Sequence, residues 1–167
     1  MDRLACASIG STYNQYASSE LRRARLRRYL DEHRDAPTML VGEAAGYRGA
    51  RISGVPFTSE RQLTGSGPAE ATATIVQRVL TDLGIGDEVL LWNVVPTHPG
   101  TVTSNRRPTR AEVAAARPFL IELARKRQLV AVGRLAASVL AAAPYVRHPS
   151  HGGALAFADG LRHTLGR

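Results

Sequence analysis

Strand-like and helix-like stretches alternate along this chain, and that alternation restricts its fold more than any other feature. Thr38 to Val41 is a β-prone run that follows Pro37 and ends at Gly42; Asp87 to Asn93 and Gln128 to Val132 repeat the pattern, the latter ending at Gly133. Around them lie stretches of helical character, Ser18 to Arg34, Ala69 to Leu83, Arg110 to Lys126 and Leu135 to Ala142. A short strand at Tyr145 and Val146 and a helix from Ala154 to Leu165 complete the series. In the first helix Leu26, Tyr29, Leu30 and His33 fall at i, i+3, i+4 and i+7, so one face turns inward. The capping box Thr109-Arg-Ala-Glu112 opens the helix from Arg110, and Pro118 inside that helix predicts a kink or a break, because proline lacks the amide hydrogen the helix needs. Strands joined through helices imply right-handed crossovers and a sheet covered on both faces. The expected fold is α/β, a three-layer α/β/α sandwich around a central, mainly parallel four-stranded sheet.

With 167 residues, 44% of them hydrophobic, the chain can bury one substantial core and is short for two. Residues 1–167 are therefore expected to form a single domain, with Thr64-Gly-Ser-Gly-Pro68 and Pro96 to Pro108 as surface loops of it. The 22 Lys and Arg against 14 Asp and Glu give a formal charge of +8, a field that favours polyanions such as nucleic acid. Five arginines between positions 22 and 28 read as the solvated face of the first helix rather than as a site. Cys6 is the only cysteine, which excludes disulfides, thiolate zinc sites and cysteine-ligated iron–sulfur clusters within one chain; it is expected to be a buried, inert thiol. No apolar run approaches the roughly 20 residues that cross a bilayer, and the segment Met1-Asp-Arg-Leu-Ala-Cys-Ala7 lacks the pattern of a secretory signal. A cytoplasmic protein is expected, and a monomer, since no helix carries a long apolar seam.

In parallel sheets ligands sit outside the carboxyl ends of the strands, which gathers the loops after Val41, Leu91 and Val146 at one edge. The first loop runs through Gly42-Glu-Ala-Ala-Gly-Tyr-Arg-Gly49 to Gly54-Val-Pro-Phe-Thr-Ser59. Its glycines allow close approach to the main chain, but their spacing is neither a dinucleotide fingerprint nor a P-loop, so nucleoside triphosphates are disfavoured. Arg48 and Arg51 are candidates for phosphodiester contact, Phe57 for stacking on a base, and Glu43 offers a carboxylate. Asn93, at the end of the apolar run Val89-Leu-Leu-Trp92, can donate and accept at once and so read a pyrimidine edge. In the late loop Arg147-His-Pro-Ser-His-Gly-Gly153, the proline and glycines favour an extended loop over a helical metal site, and His148 is placed to donate to a leaving group. Ser150 with the N–H groups of Gly152 and Gly153 forms a candidate phosphate nest. The two loops together suggest a pocket for a flat ring beside a phosphate backbone, the chemistry of a base-processing enzyme.

Four motifs in order, Gly42-Glu-Ala-Ala-Gly46, Gly54-Val-Pro-Phe57, Trp92-Asn93 and His148-Pro-Ser150, resemble those of the uracil-DNA glycosylase superfamily, in particular its small bacterial branch with a Gly-Glu-Ala-x-Gly first motif. The resemblance spans Leu40 to Gly153. It implies hydrolysis of the N-glycosidic bond of deoxyuridine in DNA, without metal or cofactor, leaving an abasic site and free uracil. It implies that Gly42, Ala44, Phe57 and Asn93 bind uracil and that Glu43 and His148 carry the chemistry. Arg48, Arg51, Ser59, Ser150, His151 and Gly152 are by the same resemblance assigned to DNA. Ala44 stands where the best-known branch has a water-positioning aspartate, leaving Glu43 as the nearest carboxylate, and Ala45 replaces a proline common there. Gly46 stands where that branch has a tyrosine that crowds out thymine. Discrimination against thymine then falls to another group, with Tyr47 a candidate, or is looser. Two alternatives stay open: a non-catalytic module binding uracil or abasic DNA, and a glycosylase of broader mismatch specificity.

Overall fold

In a computed structural model, residues 2–167 form a four-stranded sheet flanked by helices on both faces. The strands are β1 (Thr38–Ala44), β2 (Val89–Val95), β3 (Gln128–Val132) and β4 (Tyr145–Val146), in the spatial order β2-β1-β3-β4, all parallel. The expected three-layer sandwich is the one observed. In chain order the helices are α1 (Asp2–Ala5), α2 (Glu20–Glu32), α3 (Ala50–Ser53), α4 (Glu60–Thr64), α5 (Ala71–Asp82), α6 (Arg110–Ala124), α7 (Arg134–Val139) and α8 (Ala154–Leu165).

The period of two along each strand separates the two cores. Met39, Val41, Leu90, Trp92 and Ala131 face one side, where they pack with Leu26 of α2, Ala116 and Leu120 of α6 and Ala136 of α7. Leu40, Val89, Leu91, Val130 and Val132 face the other, against Val76, Val79 and Leu80 of α5 and Phe157, Ala158 and Leu161 of α8. Both faces being covered, β2 is buried at every position, which explains its unbroken apolar character.

Several local expectations are corrected. Helix α6 runs as one element through Pro118, so of the kink or break expected there the break is absent, and the capping box at Thr109 holds its start. Strands β1 and β2 reach Ala44 and Val95, further than expected, because parallel pairing continues through Gly42↔Asn93 to Ala44↔Val95. Asn93 therefore lies inside β2 instead of following it. The segment between β1 and α5 is folded into α3 and α4, and α1 opens the described chain; all three are too short to leave a periodic signal. Cys6 is exposed, not buried. No helix among the described residues is long and apolar enough to cross a membrane.

The arginines of α2 are largely committed within the molecule. Arg22 donates to Ile52 O, Arg23 to Tyr16 O, and Arg25 makes a paired contact with Glu60 at 2.8 and 2.9 Å. The bonds of Arg22 and Arg25 fasten α2 to the segment that carries Phe57, and Tyr16 Oη donates to Gly54 O in the same segment.

Candidate active site

A cavity of about 400 Å³ opens at the carboxyl edge of the sheet, lined by residues that follow β1, β2, β3 and β4. It brings together Glu43, Ala44, Phe57, Asn93, His148, Ser150 and His151, residues spread over more than a hundred positions of sequence. The β3 loop contributes Val132, Gly133 and Arg134, which sequence reasoning did not single out.

Gly42 lies behind the pocket at the point where Phe57 and Asn93 converge. A Cβ there would overlap Phe57 Cζ and stand 2.8 Å from Cε2 and 2.9 Å from Asn93 Oδ1. Glycine is thus required by close approach, not by backbone angle. Phe57 has φ 50°, a left-handed conformation costly for a phenylalanine, and its ring is 7% exposed, so it is at once core and cavity wall. The surrounding bonds hold that conformation: Gln77 Nε2 donates to Phe57 O, and Ser53 Oγ donates to Thr58 O at 2.6 Å. Asn93, 4% exposed, presents its amide from the floor of the sheet.

His148 packs over Gly133, whose hypothetical Cβ would lie 3.3 Å from the histidine Cβ. Its Nδ1 is 2.8 Å from Ser150 Oγ and 3.2 Å from Ser150 N. Because the Ser150 amide can only donate, Nδ1 is an acceptor and the proton of the neutral ring sits on Nε2. Ser150 Oγ then donates to His148 and accepts from His151 Nδ1, 3.1 Å away. Burial, reinforced by the charge of His151, holds the His148 imidazole below its usual pKa, so near neutral pH the ring is an uncharged N–H donor.

Glu43 is half-buried. Burial raises its carboxyl above the usual range, partly offset by the positive charge of Arg107. No ion pair involving Glu43 occurs among the described residues. A second carboxylate, Glu70, also lines the cavity and is raised by burial alone. Sequence reasoning missed it, since Glu70 fell in the first turn of the expected helix from Ala69, where a glutamate is ordinary.

The neighbouring loops are cross-braced. His98, fully buried, has Nδ1 2.7 Å from Ala45 O and Nε2 2.8 Å from Thr101 O, and Asn105 Oδ1 accepts from Tyr47 N. The basic stretch Ser104-Asn-Arg-Arg-Pro108 is partly internal: Arg106 donates to Glu112 at 2.8 and 2.6 Å, and Glu112 also accepts from Thr109 N. Those donors bring the buried Glu112 carboxyl down to about 2.

Several expected DNA contacts are placed elsewhere. Ser59 is fully buried and caps α4, its hydroxyl donating to Gln62 Oε1, so it meets no external ligand in this conformation. Arg51 donates to Tyr47 O and Val102 O, bracing the two loops. Arg48 is exposed beside the Tyr47 ring, outside the cavity lining. Gly152 is exposed at φ 73° with open space around it, while the Gly153 N–H is committed to Ser150 O, which reduces the expected nest. Arg134 on the cavity wall and Arg107 and Arg147 nearby are exposed cations around the mouth. Among the described residues no three His, Cys, Asp or Glu side chains are grouped to hold a metal ion.

The fold is an α/β/α sandwich with a pocket at the carboxyl edge of its sheet, walled by an aromatic, an amide, an imidazole and carboxylates. Residues 29–162 match the family model of the Uracil DNA glycosylase superfamily, and the chain belongs to that superfamily. It is accordingly a DNA glycosylase by family, acting on DNA in repair. Among solved structures the chain is similar to wild-type SMUG2 of Pedobacter heparinus, with a TM-score of 0.69 at 14% identity, over 96% of this chain and 90% of that one. No curated protein matches the chain by sequence.

Proposed function

We propose that this chain is a monofunctional uracil-DNA glycosylase, which takes a flipped deoxyuridine into the cavity and hydrolyses its N-glycosidic bond. The observation that carries this reading is the convergence of Glu43, Phe57, Asn93 and His148 on one cavity with the His148 Nε2–H free. Phe57 stacks on the base and Asn93 pairs with its N3–O4 edge. The C1′–N1 bond breaks with its electron pair leaving on uracil, and the developing negative charge on O2 accepts a hydrogen bond from His148 Nε2–H. A neutral donor suits this step, because no proton need leave the imidazole. Glu43 faces the oxocarbenium-like sugar, accepts a hydrogen bond from the attacking water and takes up its proton. The products are an abasic site and free uracil. Arg107, Arg134 and Arg147 supply positive charge toward the phosphates at the mouth.

The alternative of a non-catalytic binding module would be favoured by a Glu43 tied to an arginine outside the pocket; the carboxylate instead lines the cavity. The test is alkali-sensitive cleavage of labelled DNA carrying a single uracil, in EDTA, with wild type and Glu43→Gln side by side. Product from wild type and far less from the variant supports the reading. Uracil-specific retention on a gel with no product would refute it and leave the binding module.

A further inference from the structure

Glu70 immediately precedes α5, yet its side chain reaches back to the loop between β1 and α3. A Cβ added to Gly46 would overlap Glu70 Oε1, with Cδ at 3.0 Å, and one added to Gly49 would overlap Oε2, with Cδ at 2.7 Å. The carboxylate therefore fills the space that two glycines leave empty, one oxygen toward each. Its remaining surface faces the cavity. Among the described residues neither a hydrogen bond nor a positive charge compensates its burial.

A pyrimidine has three edges besides its glycosidic nitrogen: O2, N3–O4 and C5–C6. With O2 toward His148 and N3–O4 toward Asn93, the C5 edge is left to another part of the lining, to which Gly46 and Glu70 contribute. Tyr47, the aromatic candidate from sequence, does not line the cavity; its ring lies beside Arg48. We infer that the Glu70 carboxylate closes the C5 edge of the base pocket and is the group that excludes thymine, an inference that rests on the glycosylase reading above. A hydrogen at C5 leaves the carboxylate in place. A methyl group must push the oxygens onto the glycine main chain or cover them with carbon that offers no hydrogen bond in return. Gly46 then does not loosen selectivity, because the Glu70 side chain, from just ahead of α5, occupies the position a side chain at 46 would take.

The experiment measures single-turnover excision from duplexes carrying uracil or thymine opposite guanine, for wild type, Glu70→Ala and Glu70→Gln. Wild type should remove thymine about 10²-fold more slowly than uracil or worse. Glu70→Ala should raise the thymine-to-uracil ratio about 10-fold or more, whereas the equally large Glu70→Gln should leave it within about 3-fold. An unchanged ratio in Glu70→Ala overturns the assignment. Should that variant fail to fold, wild type decides alone on 5-fluorouracil and 5-bromouracil: fast release of the first and arrest at the second are expected, and equal rates overturn the closed edge. Failure of wild type to release uracil would remove the glycosylase reading and this one together, whereas uracil release with an unchanged ratio removes only the role of Glu70.

Discussion

Replacing Gly42 with alanine adds one methyl group where β1 passes between Phe57 and Asn93. The new carbon overlaps Phe57 Cζ and lies 2.9 Å from Asn93 Oδ1, so ordinary contact is restored only if the ring retreats by about 1 Å. The ring cannot do so freely: it is 7% exposed, packed in the core with Leu40 and Leu91, on a backbone already at φ 50°. The alternative is for Asn93 to turn away, which removes the base contact proposed for it. A displacement of about 1 Å in a positioning group costs on the order of 10²-fold in rate, and overpacking a core costs about 1–3 kcal/mol in stability. Single-turnover uracil excision, measured at a temperature where urea titration shows the variant folded, should therefore fall about 10²-fold. Gly42→Ala with a wild-type excision rate and an unchanged urea midpoint would refute the argument, because the close approach would then carry neither packing nor function.

Glu112→Gln should destabilise the protein by about 3 kcal/mol in urea titration, since Arg106 and Thr109 N lose a buried carboxylate. The same group makes stability pH-dependent. Its folded pKa of about 2 lies below the unfolded value, so its contribution is complete above about pH 4.5 and is lost as pH falls toward 2. A urea midpoint flat from pH 5 to about 2.5 would contradict this. His148 shifts in the same direction, here because burial disfavours the charged ring: its folded pKa lies below the unfolded one, so stability declines as pH drops below about 6.5 and the unfolded chain takes up the proton first. An NMR titration of the His148 ring should show a midpoint below that of a model imidazole; one above it would contradict the neutral donor. Asn93→Asp should shift preference from uracil toward cytosine, whose amino group donates where O4 accepts, measured as the ratio of excision rates on the two bases; unchanged selectivity would remove Asn93 from base reading.

Much of the fold was legible because it rests on local signals. The β3, β4 and α8 boundaries follow directly from apolar runs closed by Gly133 and from the glycines ahead of Ala154. The capping box at Thr109 marks the start of α6 in both sequence and structure. Short elements were not legible. Helices α3 and α4 span four and five residues, about one turn, and exist because Arg22, Arg25 and Tyr16 hold them from α2 and the preceding loop. Cys6 was expected to be buried on its type, but it follows α1 at the surface, where composition has no influence.

The sequence alone determined the parallel α/β arrangement, and Glu43, Phe57, Asn93 and His148, marked by type, order and neighbouring glycines, line one cavity at its edge. The sequence did not determine which polar side chains remain free to act. Ser59 and Arg51 have the right chemistry for DNA but are consumed by Gln62 and by the carbonyls of Tyr47 and Val102. Glu70 has no motif, yet it enters the pocket because Gly46 and Gly49 leave room for it. Hydrogen-bond commitment and close approach are three-dimensional properties, set by partners remote in sequence. Periodicity therefore decided the scaffold, and tertiary packing decided which groups face the cavity.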